Sequence, residues 1–252
     1  MARFLISNEV AELLPRMQIV VVTARGIDNA APNPGVAAQV QDAVDGTIAH
    51  FEASKYANAQ SHPRIALYRD ALKAAANTSA KKYPQSHESL LKRVLKEKQA
   101  PRPISPVVDF YNSVSIEQVV TAGAFDIDEL EKQREVPLTL RVARPDEDTF
   151  VPLDTPSAAP AKVDAKEILY AQGSTVLTRH LAWRQSAQAL VTQASRNVVF
   201  VSEVLHVDEP GAPSELARAV AASLQKGLED FFHVSSRVEF IGKSLGKLEV
   251  DL

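Results

Sequence analysis

Helical texture fills most of the first half of the chain and strand texture most of the second. That order predicts an α+β fold, a single domain with helices packed on a mixed or antiparallel β-sheet. Two further observations support it. The chain has 252 residues, 45% apolar and 23% charged, enough for one sizeable core and ordinary for a globular protein. No internal repeat and no regular strand–helix alternation is present. Residues 1–35 read as an N-terminal strand and loop region packed on a main domain of residues 36–252.

The elements follow from local pattern. Met17 to Thr23 (MQIVVVT) is short, apolar and β-branched, and predicts a buried strand. GIDNAAPNPG is a loop punctuated by Gly and Pro. Val36 to Phe51 and Arg64 to Ala76 carry helical spacing. Ser86 opens a helix as its N-cap, with Leu90, Leu91, Val94 and Leu95 as the buried stripe and Lys92, Lys96 and Glu97 facing elsewhere. QAPRPISP breaks the chain, and a helix then runs from near Pro106 towards Val120. Strands are expected at Leu138 to Val142, Ile168 to Tyr170, Val176 to Thr178 and Asn197 to Leu205. TPSAAPAKVDA, between two of them, has the composition of a poorly ordered loop. Ser214 to Phe232 reads as an amphipathic helix with Ser214 as N-cap and Leu216, Val220, Leu224 and Leu228 as its stripe.

Composition removes several chemistries. There is no cysteine, so disulfides, thiolate nucleophiles and zinc–thiolate sites are excluded. No apolar run approaches the roughly 20 residues of a membrane span, and MARFLISNEVAELL lacks the features of a secretion signal. A cytoplasmic protein without membrane contact is the expectation. Dinucleotide, P-loop, zinc-protease and nucleophile-elbow motifs are absent. The histidines His50, His62, His87, His180, His206 and His233 show no ligand spacing, so neither a metal nor a cofactor is expected. His87, inside SHES, is the one kept open for a role.

The net charge is -3, yet His62 to Arg102 holds ten basic residues against three acids, making that segment +7 and the remainder -10. A basic face on an acidic protein suits a polyanion. Two solvated helices would show the same composition.

Tyr83 to Leu130 sets Ser86, Glu88, Arg93, Asp109, Asn112, Ser115, Asp126 and Asp128 in a mostly apolar frame. An unpaired buried polar group costs about 1–3 kcal/mol. Such a set must therefore satisfy itself or line a pocket. Glu88 and Lys92 are four apart and can pair. In a helix, Asp109, Asn112 and Ser115 share a face, which is either a plain solvated face or a polar seam with Arg93, Arg141 or a ligand as partners. In Val199 to Leu205, alternation puts Glu203 on a face with Val199 and Val201, as expected of a carboxylate that meets a buried cation or a ligand amine, or of an edge strand with one wet face. Trp183, the sole tryptophan, stands beside Arg184.

From about His62 to Glu203 the ordered set SHESLLKRV, PVVDFYNSVS, GAFDID, EILY, VLTRHLAWR and NVVFVSE resembles the editing domain of the phenylalanyl-tRNA synthetase beta subunit. It is similar above all to the free-standing proteins built from that domain. The resemblance implies an α+β fold holding an aminoacyl pocket, and hydrolysis in trans of a mischarged aminoacyl-tRNA without amino-acid activation. In the synthetase pattern a histidine precedes the Ala-Phe-Asp step; here that position is Gly123. The glutamate that reads the tyrosine hydroxyl falls near Val201 or Glu203. In free-standing relatives a Gly often precedes the Glu of EILY and an Asp follows the Tyr-Ala step; here they are Lys166 and Gln172.

The implied catalytic residues are Asn112, orienting the carbonyl or water, and Glu203, holding the substrate α-amine. Ser86 and Glu88 are expected at the rim, and Arg93 and Arg184 at the terminal ribose or phosphate. Trp183 either stacks on the terminal adenine or belongs to the core. The expected partner is tRNA through its aminoacylated 3′ end. Two alternatives remain: a non-catalytic RNA- or amino-acid-binding module, and hydrolysis of a small ester or amide unrelated to tRNA.

Overall fold

The computed structural model describes residues 1–155, 159–205 and 210–252. Within those residues the strands form two sheets, and one of them is sandwiched between the helices and the other sheet.

The central sheet is antiparallel. It contains β2 (Met17–Arg25), β3 (Gly123–Asp126), β9 (Asn197–Leu205) and β10 (Ser236–Ile241), in the order β10-β2-β9-β3. The second sheet is mixed. Its path is β11-β1-β4-β6-β7-β5, where β1 is Arg3–Ile6, β4 Leu138–Val142, β5 Thr149–Phe150, β6 Ile168–Gln172, β7 Thr175–Arg179 and β11 Glu249–Asp251. β8 (Arg184–Gln185) pairs with β7 off that path. β1–β4 and β5–β7 are its parallel pairs. Residues 1–35 are thus built into both sheets, as inner strands β1 and β2, rather than laid against a separate domain.

Alternation divides the central sheet into two faces. Val20 and Val22 with Phe200 and Val204 meet α5 (Pro106–Gln118) and α7 (Glu215–Phe232) through Phe110, Val114, Leu224 and Leu228. Ile19, Val21, Val199 and Val201 face the second sheet, against Phe4, Ile6, Leu140 and Tyr170. α3 (Pro63–Ala76) adds Tyr68 and Leu72 to that inter-sheet core. α2 (Pro34–Ser54) and α4 (Ser86–Glu97) join α3 and α5 through Phe51, Ile65, Leu91 and Val119. The short helices α1 (Asn8–Leu13) and α6 (Ile127–Glu131) link strands.

Helix boundaries follow capping chemistry. α2, α3 and α5 each begin with proline after a capping side chain, Asn33, His62 and Ser105 respectively. Proline suits the first helical position because its missing N–H would have no partner there. Ser214 caps α7 as expected, its hydroxyl accepting from the Ala217 amide. α4 departs from expectation. Its N-cap is Gln85, which makes no side-chain cap bond, and Ser86 is the first helical residue. Of the loop at 155–165, residues 156–158 lie outside the described set, as does His206.

α5 and α7 cross closely at Gly227. A methyl group there would sit 2.1 Å from Phe110 Cε2, inside contact distance of a fully buried ring. Phe110 is fixed by edge contacts to Phe200 and Phe232 at 6.1 and 5.6 Å. Alanine improves helix propensity by about 1 kcal/mol, whereas overpacking costs about 1–3 kcal/mol. At this separation we expect overpacking to win. Gly227→Ala should lower the urea midpoint; an unchanged or raised midpoint would show that Phe110 repacks freely.

Candidate functional site

A cavity of about 150 Å³ opens between the two sheets beside the start of α4 and the middle of α5. The central sheet supplies Gly123, Val201 and Glu203, with Gly123 and Val201 directly paired across β3 and β9. The second sheet supplies Tyr170, Thr178 and Arg184. α4 contributes Ser86, and α5 contributes Tyr111 and Asn112. The remaining wall is the turn Leu181–Trp183.

That turn is held in an unfavourable backbone. His180 and Leu181 have φ of 46° and 67°, the left-handed region that non-glycine residues rarely occupy in succession. Gln85 clamps it. Its amide nitrogen donates to the His180 carbonyl at 2.9 Å, and its amide oxygen accepts from the Ala182 N–H at 3.0 Å. The Ser86 N–H donates to the Ala182 carbonyl at 2.8 Å. The start of α4 and the cavity wall are therefore one hydrogen-bonded unit.

Glu203 lies at the floor and is 2% exposed. Its Oε1 accepts from the Tyr170 hydroxyl and its Oε2 from the Thr121 hydroxyl. The Tyr68 hydroxyl donates to the Glu203 main-chain carbonyl. Burial pushes the carboxyl above the usual carboxylate range, and the Thr121 and Tyr170 hydrogen bonds oppose that shift. Burial beside this carboxylate also raises the Tyr170 phenol well above its ordinary value. Tyr170 thus remains protonated and donates to Glu203.

The structure sorts the expected site residues by helix geometry. Ser86 lines the cavity, and its buried Oγ has no hydrogen-bond partner. Because Gln85 takes the N-cap position, this hydroxyl is not spent on the helix end as the sequence suggested. Glu88 is off the cavity. Two residues along a helix amount to a rotation of about 200°, so Ser86 and Glu88 cannot face the same space. Glu88 is 1% exposed and pairs with Arg69 at 2.8 Å and with Lys92, one turn on, at 2.5 Å. Arg93 is exposed and likewise absent from the cavity wall.

Asn112 is half-buried and lines the cavity, whereas the rest of the expected α5 seam is satisfied locally. Asp109 accepts from the Ile104 amide at 3.0 Å, and Ser115 donates to the Val120 carbonyl at 2.6 Å. Arg141 pairs with Asp148 instead. Asp126 caps α6, and Asp128 accepts from Asn197. Trp183 is half-buried at the rim, edge-on to Tyr83 at 4.7 Å, with the Arg179 and Arg184 guanidiniums each 5.8 Å from its ring. Arg184 also lines the cavity and pairs with Asp154. Sequence reasoning missed Gln85, Thr121 and Tyr170. Each looks like an ordinary cap, loop or core residue, although Tyr170 ends the EILY motif.

Behind the wall, single atoms of Asp164, Glu167 and His180 lie within 4.8 Å of one another, a spacing that suits a metal. Arg179 already supplies a cation there, 2.7 Å from Glu167 and 3.6 Å from Asp164. The set is an ion-pair cluster bracing the turn.

The sequence profile of the B3/4 domain, the domain found in the phenylalanyl-tRNA synthetase beta subunit, matches residues 70–209. The chain belongs to the B3/4 domain family. The match covers more than half the chain and includes α4, α5, β9 and the clamped turn, so every wall of the cavity is B3/4 structure. Comparison with curated proteins gives no match. Among the described residues, no helix is long and apolar enough to cross a membrane.

Two expectations follow for this B3/4 domain. Gln85→Ala removes two hydrogen bonds from the turn and leaves the His180 carbonyl and the Ala182 N–H only their own bond at 3.0 Å, at about 0.5–1.5 kcal/mol for each bond lost. Fluorescence of the single tryptophan, Trp183, should shift to the red under native conditions; an unshifted spectrum would mean the turn holds itself. The second concerns His87, which is fully buried under Tyr68, its pKa lowered to about 3 mainly by desolvation, with His62 adding repulsion. The unfolded histidine titrates near 6.5, so the unfolded chain binds the proton first. Stability is then full above about pH 6.5 and declines as pH falls towards 3, by about 2 kcal/mol at pH 5 from this residue. His87→Leu should flatten that limb in denaturation measured from pH 7 to 4; an unaltered slope would refute the assignment.

Proposed function

We propose that the protein is a trans-editing hydrolase that deacylates a mischarged aminoacyl-tRNA and does not activate amino acids. The observation that carries this reading is the cavity itself. Three different polar functions converge on a space that suits one side chain: the buried Glu203 carboxyl, the Asn112 amide and the partnerless Ser86 hydroxyl. A cavity of about 150 Å³ accepts a benzene-sized group, which matches an amino-acid side chain and is too small for a nucleotide.

An aminoacyl ester is already activated, so its hydrolysis needs a placed water, a fixed carbonyl and stabilisation of the oxyanion. Ser86 Oγ has no base within hydrogen-bond reach, which favours a donor role over a nucleophilic one. It lies on the first turn of α4, where the helix dipole favours negative charge. Ser86 then donates to the developing oxyanion, and Asn112 orients the carbonyl or the attacking water. Glu203 receives the substrate ammonium, whose charge favours the ionised carboxylate that burial opposes. Water adds to the carbonyl carbon, the carbon–oxygen bond to the ribose breaks, and the ribose hydroxyl leaves with a proton. Trp183 offers a stacking face to the terminal adenine, and Arg184 a guanidinium to the ribose or phosphate.

Gly123 favours a second reading, a module that binds without chemistry. Nothing lies within 4 Å of where its side chain would begin, so the space that a larger residue would fill is open. A panel of matched and mismatched aminoacyl-tRNAs separates the two. Selective release of one amino acid supports the hydrolase, and Asn112→Ala should then slow that release at least tenfold. Release at the spontaneous rate across the panel, with tRNA bound, favours the module. Full activity of Asn112→Ala would remove Asn112 from the mechanism.

A further inference from the structure

We infer that the exposed face of α4 is the track on which the single-stranded 3′ end of an RNA docks as it enters the cavity. The inference rests on the aminoacyl-tRNA reading above and assigns a surface to the partner.

Ser86, Ser89, Arg93 and Lys96 stand at i, i+3, i+7 and i+10 of α4. At about 100° per residue they fall within an arc of about 80°, opposite the buried face of His87, Leu91 and Val94. The first member of this stripe is in the cavity wall, and the other three are exposed. With a rise of about 1.5 Å per residue, Arg93 and Lys96 lie about 10 and 15 Å along the axis from Ser86. A strand bound there would lead straight to the Ser86 hydroxyl.

The structure also separates the cations that hold the fold from those that do not. Arg69 and Lys92 are held by Glu88, Lys98 by Glu52, and Arg64 by the Gln118 carbonyl. Among the described residues, Arg93 and Lys96 make no ion pair, although Glu97 stands one turn beyond Arg93. Lys81 and Lys82 are exposed just before Tyr83, and the Lys82 ammonium sits 4.8 Å over its ring. Tyr83 in turn meets Trp183 at the cavity rim. Exposed cations thus flank the cavity, with the half-buried Trp183 between them, the combination that binds single strands through phosphates and stacked bases. The rest of the chain carries -10, which disfavours a polyanion elsewhere.

The test is binding of unacylated tRNA to the full chain across a salt series. Arg93→Glu/Lys96→Glu should weaken binding at least tenfold and reduce the slope of log affinity against log salt by about two, one unit per lost phosphate contact. Arg93→Gln/Lys96→Gln should show the same slope change with a smaller loss. The control is Lys132→Glu/Lys226→Glu, which makes the same charge change at two exposed lysines, one at the C-cap of α6 and one within α7. Wild-type affinity and slope in the α4 variants, or equal weakening in the control, would overturn the track. A protein that binds tRNA through this stripe but hydrolyses nothing keeps the track and refutes the hydrolase. One that hydrolyses a small aminoacyl ester without salt-dependent tRNA binding keeps the chemistry and overturns the track.

Discussion

The structure turns on a carboxylate between two sheets. β9 must alternate, so any polar residue in step with Val199 and Val201 enters the inter-sheet core. Glu203 is that residue, and a buried carboxyl without partners would be several kcal/mol unfavourable. The second sheet answers with the Tyr170 hydroxyl and the segment after α5 with Thr121. These bonds tie the sheets at one end and keep a polar floor under the cavity. The remaining walls, the α4 start and the left-handed turn, are arranged around it and are themselves joined through Gln85.

Long periodic elements were legible in the sequence. α2, α3, α5 and α7 have clear spacing and capping residues, and the β9 pattern puts Glu203 on the correct face before any coordinates are considered. The short pieces were not. β1, β3, β10 and β11 are three to six residues long, and their pairing partners are distant in sequence. Within the site, Ser86, Asn112, Trp183, Arg184 and Glu203 meet at the cavity, whereas Glu88 and Arg93 do not. Adjacent letters in SHESLLKR suggest one polar group, but a helix distributes them round its axis. Glu88 goes to a buried ion pair and Arg93 to solvent. Gln85 escaped notice because its work is tertiary: it holds a turn nearly one hundred residues away.

The positive charge of residues 62–102 likewise resolves only in three dimensions. Part of it neutralises Glu88 and caps the fold, and part remains on the exposed face of α4. The first group supports stability, and the second is the part that the proposed RNA track would use. Gly123 leaves open room on the β3 side of the cavity.

The most direct test is a crystal structure with a non-hydrolysable 3′-aminoacylamido-adenosine. The account places its ammonium against Glu203, its carbonyl between Ser86 and Asn112, and its adenine on Trp183. An analogue that binds with its amino-acid part outside the inter-sheet cavity would contradict the account.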